Sequence, residues 1–279
     1  MDFITLQSRV VWGYVGNAIA VPTLQALGIN AWPVDTVRYP HHPGHGPTFR
    51  EVTDPDVVGN MLNATMACIE GPAALLSGYL ASAEQGQAAI ETLDHARHNG
   101  HAMPLYLDPV FGDDAEGIYV DPSLVRFFKT IAVPAATLVM PNRFELAALT
   151  DRTVASAPDA VNAARQLIRT GPELVLVSSV PTPDARIANL VVSANEAWIC
   201  SVQKLPLLAK GTGDMFSAAF SGLLALGQTP PTALAMATAI IRVAVEDCSK
   251  TQAREINLPY TLNRKLSLLS PVPVDGIKV

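Results

Sequence analysis

Charge is scarce in this chain. Asp, Glu, Lys and Arg make up 16% of its 279 residues, against roughly 25% in an average soluble domain. The 19 basic and 25 acidic residues leave a formal charge of −6. The clustered Lys/Arg that a nucleic-acid backbone demands is missing, which excludes general nucleic-acid binding. Cysteine is scarce as well. Cys68, Cys200 and Cys248 form no CxxC pair, so neither a zinc site nor a disulfide framework is supported, and small buried thiols in a reducing cytosol are expected. Long hydrophobic runs are absent. A spanning helix needs about 20 apolar residues, and the best run, Ala233 to Ile241, stops at Arg242. Residues Met1 to Ser8 have no basic stretch and turn polar after six residues, so no signal peptide is expected. These absences together predict a cytoplasmic protein with no membrane partner.

Core-forming material is abundant. Hydrophobic residues reach 49% and mean hydropathy is +0.26, which excludes disorder. Short apolar runs at Phe3–Leu6, Ala73–Ser77, Pro104–Leu107, Ala136–Met140 and Glu173–Val177 alternate with amphipathic segments. Helices are expected over Gly16–Leu27, Asp54–Ile69, Ser82–His98, Pro122–Ile131, Asn142–Leu149 and Ala157–Thr170. An extended segment, Ala31–Val37, precedes a His/Pro/Gly-rich loop over Pro40–Pro47, and Phe111–Asp121 is a Gly/Asp loop. A hairpin is expected over Ile187–Ser193 and Ala197–Val202, then helices over Thr212–Leu226, Pro231–Asp247 and Tyr260–Leu268. Continuous apolar strands between helices mean parallel strands buried on both faces. The expected fold is a three-layer α/β/α sandwich with a doubly wound, mostly parallel sheet, forming one domain over residues 1–279. Ligands of such sheets sit beyond the carboxyl ends of the strands, so the polar residues at those ends are the candidates.

The sharpest candidate is the turn Lys210-Gly211-Thr212-Gly213-Asp214, which opens a helix rich in small residues. Two glycines allow close backbone approach, and a helix start offers unpaired N–H donors to an anion. Asp214, within the first turn, can take a proton from an incoming hydroxyl while those donors hold a phosphoryl group. As an ordinary helix start the tetrapeptide would be unremarked; its setting late in a doubly wound chain sets it apart. A Walker A lysine loop is absent.

Gly211-Thr-Gly-Asp214 resembles the C-terminal signature of the ribokinase-like superfamily. Leu6-Gln7-Ser8 with Val10–Asn17, Ser77-Gly78-Tyr79, Ala83–Gly86, Asp108–Asp113 and Met140–Glu145 resemble, in the same order, the motifs of pyridoxal kinases. The resemblance covers essentially the whole chain. It implies ATP-dependent phosphorylation of the 5′-hydroxymethyl group of pyridoxal or a related B6 vitamer. Asp214 would be the base, with Gly211, Thr212 and Gly213 as the anion hole. Ser8, Val15, Tyr39, His42 and Tyr79 would hold the pyridine ring. Asp108, Asn142, Glu145, Ser178 and Ser179 would face ATP, with Lys204, Leu205, Pro206, Leu207 and Lys210 in a nucleotide-covering loop over 203–211. Asp108 and Glu145, with Asp113 as a further candidate, would support Mg²⁺, because a hard cation wants carboxylate oxygen and keeps several waters. Residues 40–50 would form a lid over the substrate. A homodimer is also implied.

Two departures from the family pattern stand out. Many pyridoxal kinases carry Phe-Ser-Asn-His-Thr where this chain has Tyr39-Pro40-His41-His42-Pro43. Pro43 has no hydroxyl, so the substrate contact made by that Thr is missing or is made by a neighbour. Met140-Pro141 stands where some members have Thr-Pro, so a monovalent cation such as K⁺ loses one ligand and is not expected to be required. The His41-His42-Pro-Gly-His45 cluster is read as part of the lid and not as a metal site. A kinase of another hydroxymethyl heterocycle, such as hydroxymethylpyrimidine, and a catalytically silent binding protein on the same fold are the alternatives.

Overall fold

The computed structural model describes residues 1–101, 103–206, 210–263 and 269–277. Strand β1 (Asp2–Trp12) leads into helix α1 (Asn17–Ala26), and β2 (Asn30–His41) follows. A 3₁₀ turn (Pro43–His45) and a short β3 (Glu51–Val52) lead to α2 (Pro55–Ala67), β4 (Ala73–Ser77), α3 (Ala83–His98) and β5 (Leu105–Leu107). A small hairpin, β6 (Gly112–Asp113) and β7 (Gly117–Ile118), precedes α4 (Pro122–Phe127), which continues as a π turn into the short α5 (Val133–Ala135). The order then runs β8 (Leu138–Val139), α6 (Arg143–Thr150), α7 (Ala157–Ile168), β9 (Leu174–Pro181), β10 (Arg186–Val192) and β11 (Ala197–Gln203). Helices α8 (Thr212–Ala225), α9 (Pro230–Thr251) and α10 (Leu258–Asn263) and strand β12 (Asp275–Gly276) end the described chain. Part of the expected last helix, residues 264–268, lies outside the described residues.

Ten strands form one sheet in the order β12-β11-β10-β9-β8-β5-β4-β1-β2-β3. The central pairs, from β2 through β1, β4, β5 and β8 to β9, are parallel. The edges are antiparallel. Side chains of successive strand residues enter opposite layers. Phe3, Leu76, Leu138 and Leu176 pack with α1, α8 and α9. Ile4, Leu75, Val139 and Val175 pack with α2, α3, α6 and α7. This is the doubly wound three-layer arrangement read from the apolar runs.

Chain order reverses around β1: β2 lies on one side of it and β4 on the other. That switch point opens a crevice at the carboxyl ends of the strands. Several strands overrun their expected ends there. β1 continues beyond Ser8 to Trp12, paired with β2 as far as His41, and its register shifts between Gln7 and Arg9. β9 continues beyond Val177 to Pro181, with a register shift opposite Asn189 and Ser179 at φ 65°. Bulges of this kind bend a strand and re-aim its side chains. The polar residues in them break the apolar run, so the run ends before the strand does. Ser8 is therefore inside a strand and not at its end. The loop expected over Pro40–Pro47 is in part strand, and the loop expected over Phe111–Asp121 contains the β6–β7 hairpin. Cys68 departs from expectation too: it is exposed, while Cys200 and Cys248 are buried. Among the described residues no helix is long and apolar enough to cross a membrane.

Candidate active site

A cavity of about 610 Å³ occupies the crevice. A larger groove of about 1150 Å³ lies between α2 and α3, against Gly71, Pro72 and Ala73 at the start of β4, at the wrong end of the strands for the turn at Gly211. The crevice collects residues from seven parts of the chain. Ser8, Val15, Tyr39, His42 and Tyr79 line it, as do Asp108, Asp113, Asn142, Glu145, Ser178 and Ser179. Lys210, Gly211, Thr212, Gly213 and Asp214 complete the wall. Lys204, Leu205 and Pro206 do not line it, and Leu207 lies outside the described residues.

The glycine turn is built by close packing. Gly211 sits at φ 89° before α8, and a Cβ there would lie 1.9 Å from the Tyr14 carbonyl oxygen. Only glycine combines that φ with that approach. A Cβ at Gly213 would meet nothing within 4 Å, so this position faces open space. No side chain caps α8, as none caps α1 or α9, whereas Asp54, Ser82, Asp121, Asn142 and Ser156 cap α2, α3, α4, α6 and α7; of the starts of α1, α8 and α9, that of α8 lines the crevice. The first N–H groups of α8 are left for a ligand. Asp214 stands beside them. Gly16 N–H donates to its Oδ2 at 2.8 Å. Gly16 is fixed in turn by Ser8, since a Cβ there would lie 2.1 Å from the Ser8 carbonyl oxygen.

Three carboxylates crowd the floor. Burial lifts Asp214 to about 6, opposed by the Gly16 hydrogen bond. Burial and then the Asp214 charge lift Asp108 to about 7, although Ser217 Oγ–H donates to Asp108 Oδ2 at 2.6 Å. Glu145 is raised by burial and by Asp108. Its Oε1 accepts from Phe111 N at 3.0 Å and its Oε2 from Asn142 N at 2.8 Å. Asn142 Oδ1 accepts from Glu145 N in return, completing a capping box on α6. Among the described residues no Lys or Arg pairs with any of the three. Buried, unpaired and mutually repelling carboxylates suit a cation. Among the described residues no three His, Cys, Asp or Glu side chains converge to hold one unaided. Asp108 and Glu145 carry the hard carboxylate oxygens that a cation such as Mg²⁺ takes, one or two at a time, together with substrate phosphates and water. Asp113 is otherwise engaged: its Oδ1 accepts from Ala115 N and Glu116 N within the hairpin.

Elsewhere in the lining, burial and then Tyr39 raise the Tyr79 phenol to about 12, so it stays a donor. His42 is lowered by burial and by Lys210, and its Nδ1 accepts from Gly44 N at 3.0 Å. Lys210 Nζ donates to Glu116 Oε1 at 2.7 Å, bridging the glycine turn to the hairpin. Several lining residues escaped the sequence reading: Val10, Glu116, Tyr119, Leu176, Phe216 and Ser217; Arg50 falls at the end of the expected lid without being singled out. Ser217 follows Asp214 by three positions and so shares its helix face. Nothing local distinguishes Arg50 or Tyr119 from ordinary loop residues.

A family model described as phosphomethylpyrimidine kinase matches residues 21–260. Pyridoxal kinase PdxY of Rubrobacter xylanophilus is 34% identical over 264 residues, spanning 92% of this chain and 91% of that protein. Pyridoxal kinase PdxY of Deinococcus radiodurans is 34% identical over 92% of this chain and 90% of its own length. The chain belongs to the pyridoxal kinase family. Its fold agrees with solved members: pyridoxal kinase of Leishmania donovani, determined with ADP and ginkgotoxin, superimposes with a TM-score of 0.90 at 21% identity, covering 99% of both chains. For pyridoxal kinase of Entamoeba histolytica the TM-score is 0.89 at 20% identity, again over 99% of both chains.

Proposed function

We propose that this chain transfers the γ-phosphoryl group of ATP to the 5′-hydroxymethyl oxygen of pyridoxal. The observation that carries the reading is Asp214 beside the uncapped start of α8, inside a cavity large enough for both reactants. Asp214 accepts the hydroxyl proton as the oxygen bonds to the γ-phosphorus, and the bond to the β-phosphate oxygen breaks to release ADP. An acid near 6 is ionised at pH 7, and its pKa lies close to the operating pH, where a base works best. The N–H groups of Thr212, Gly213 and Asp214 would receive the charge that develops on the phosphoryl oxygens.

Mg²⁺, when bound with ATP, would supply charge neutralisation at the phosphates, and Asp108 and Glu145 are the residues that would hold it. Ser8 would bond the ring, with Val15, Tyr39, His42 and Tyr79 around it. Asn142, Ser178, Ser179 and Lys210 would face the nucleotide, and residues 203–206 would lie farther out along its cover. Asp113 is better read as a hairpin brace. The proposed working form is a single-domain cytoplasmic homodimer. Its support is the family resemblance and the exposed apolar side chains Val11, Phe49 and Met61, which an interface could bury; light scattering tests it. The name of the matching family model favours one second reading, a hydroxymethylpyrimidine kinase. A substrate panel with ATP and Mg²⁺ decides: phosphorylation of pyridoxal supports the first reading, and phosphorylation of the pyrimidine alone replaces it.

A further inference from the structure

One residue outside the cavity wall touches both halves of the site. Glu255 follows α9 and is 241 positions from Tyr14 in sequence. Its side chain is 15% exposed and that of His45 only 10%. The carboxylate divides its oxygens. His45 Nε2–H donates to Oε1, and Tyr14 N–H donates to Oε2 at 2.9 Å. Room for this is made at Gly13, at φ 107°, where a Cβ would lie 2.7 Å from Oε2. Trp12 closes the contact, edge to face with His45 at a centroid distance of 5.0 Å.

Each partner of Glu255 leads on to the cavity. Through Tyr14 it reaches the phosphoryl side: the Tyr14 carbonyl packs on Gly211, Val15 lines the wall, and Gly16 N–H holds Asp214. Through His45 it reaches the substrate side: His45 ends the 3₁₀ turn, and His42, Pro43 and Gly44 of that turn line the wall. We infer that Glu255 is a positioning residue, clamping the substrate turn to the segment that fixes the base and the glycine turn. Charge-assisted hydrogen bonds are the stronger kind, and a buried donor left without its acceptor is costly. A misplacement of about 1 Å at a reacting centre can cost about 10²-fold in rate, so one carboxylate setting both halves has leverage. The kinetic consequences rest on the kinase reading; the clamp itself does not.

The test compares wild type with His45→Phe, Glu255→Gln, Glu255→Ala and the double variant His45→Phe/Glu255→Ala, by steady-state kinetics with pyridoxal and Mg·ATP and by amide hydrogen exchange. His45→Phe frees one arm. KM for pyridoxal rises about tenfold, KM for ATP stays within about twofold, and exchange quickens over residues 42–46. Glu255→Ala frees both arms. It adds a fall in kcat of about tenfold or more and faster exchange over 13–16. Glu255→Gln keeps an acceptor for Tyr14 and restores most of that kcat. The double variant has the pyridoxal KM of Glu255→Ala, because the coupled effects do not add. Unchanged exchange in both segments of Glu255→Ala, wild-type kinetics in that variant, or additive effects in the double variant overturn the clamp. Should Glu255→Ala fail to fold, His45→Phe and Glu255→Gln still test the clamp, because both keep the acceptor for Tyr14 N–H: kcat stays near wild type in both, and a fall in kcat of about tenfold in either, or an unchanged pyridoxal KM in His45→Phe, overturns it. A wild type inactive on pyridoxal refutes the kinase reading, and the exchange comparison still decides the clamp.

Discussion

Asp214 draws its chemistry from position. Its carboxylate is buried beside another carboxylate, yet one backbone N–H keeps it within reach of ionisation near neutral pH. Asp214→Asn should lower kcat by about 10²–10⁴-fold, the usual range for a general base. The pH profile of kcat/KM should fall on its acid side around pH 6, since protonated Asp214 cannot take the hydroxyl proton; a profile flat down to pH 5 would contradict the assignment. The two glycines of the turn should separate cleanly. Gly211→Ala drives a methyl into the Tyr14 carbonyl at a backbone angle alanine avoids, so both stability and kcat should fall. Gly213→Ala faces open space, so its melting temperature should match wild type while KM for ATP rises. Of these features the sequence shows the Gly-Thr-Gly-Asp spacing, but not the Tyr14 carbonyl that makes Gly211 obligatory. That contact joins residues far apart in the chain.

The elements present these residues through devices of unequal legibility. Helix starts were plain, because Asp54, Ser82 and Asn142 stand immediately before amphipathic runs and do cap them. Buried strand halves were equally plain. The outer halves of β1, β2 and β9 were not, since Arg9, Pro40, Ser178 and Ser179 interrupt the apolar pattern. Those halves bear Ser8, Tyr39 and the two serines, so the parts hardest to read are the ones that line the cavity. The α6 cap is open to test. Asn142→Ala loses the acceptor for Glu145 N–H and the bond from Nδ2 to the Gly112 carbonyl. A loss of about 1–2 kcal/mol is expected in denaturant melts.

Across the molecule, the parallel centre of the sheet gathers Asp108, Glu145 and Asp214 at one crevice, and among the described residues no Lys or Arg pairs with any of the three. Asp108 and Asp214 sit above the ordinary carboxylate value of about 3.9. The folded state therefore holds protons that the unfolded state releases, and these groups cost stability progressively as pH rises from about 4 to 7. Asp108→Asn should melt higher than wild type at pH 8, the gap closing towards pH 5, while losing activity. This also changes how the sparse charge of the chain reads. A net charge of −6 is compatible with the proposed triphosphate site, because Lys210 and the start of α8 line one cavity.

The decisive measurement is the product of incubation with ATP, Mg²⁺ and pyridoxal. Wild type should yield ADP and pyridoxal carrying phosphate on its 5′-oxygen, and Asp214→Asn should yield almost none over the same time. Equal turnover by the two proteins would contradict the assignment of Asp214 as the base, and no phosphorylated pyridoxal from wild type would contradict the proposed reaction.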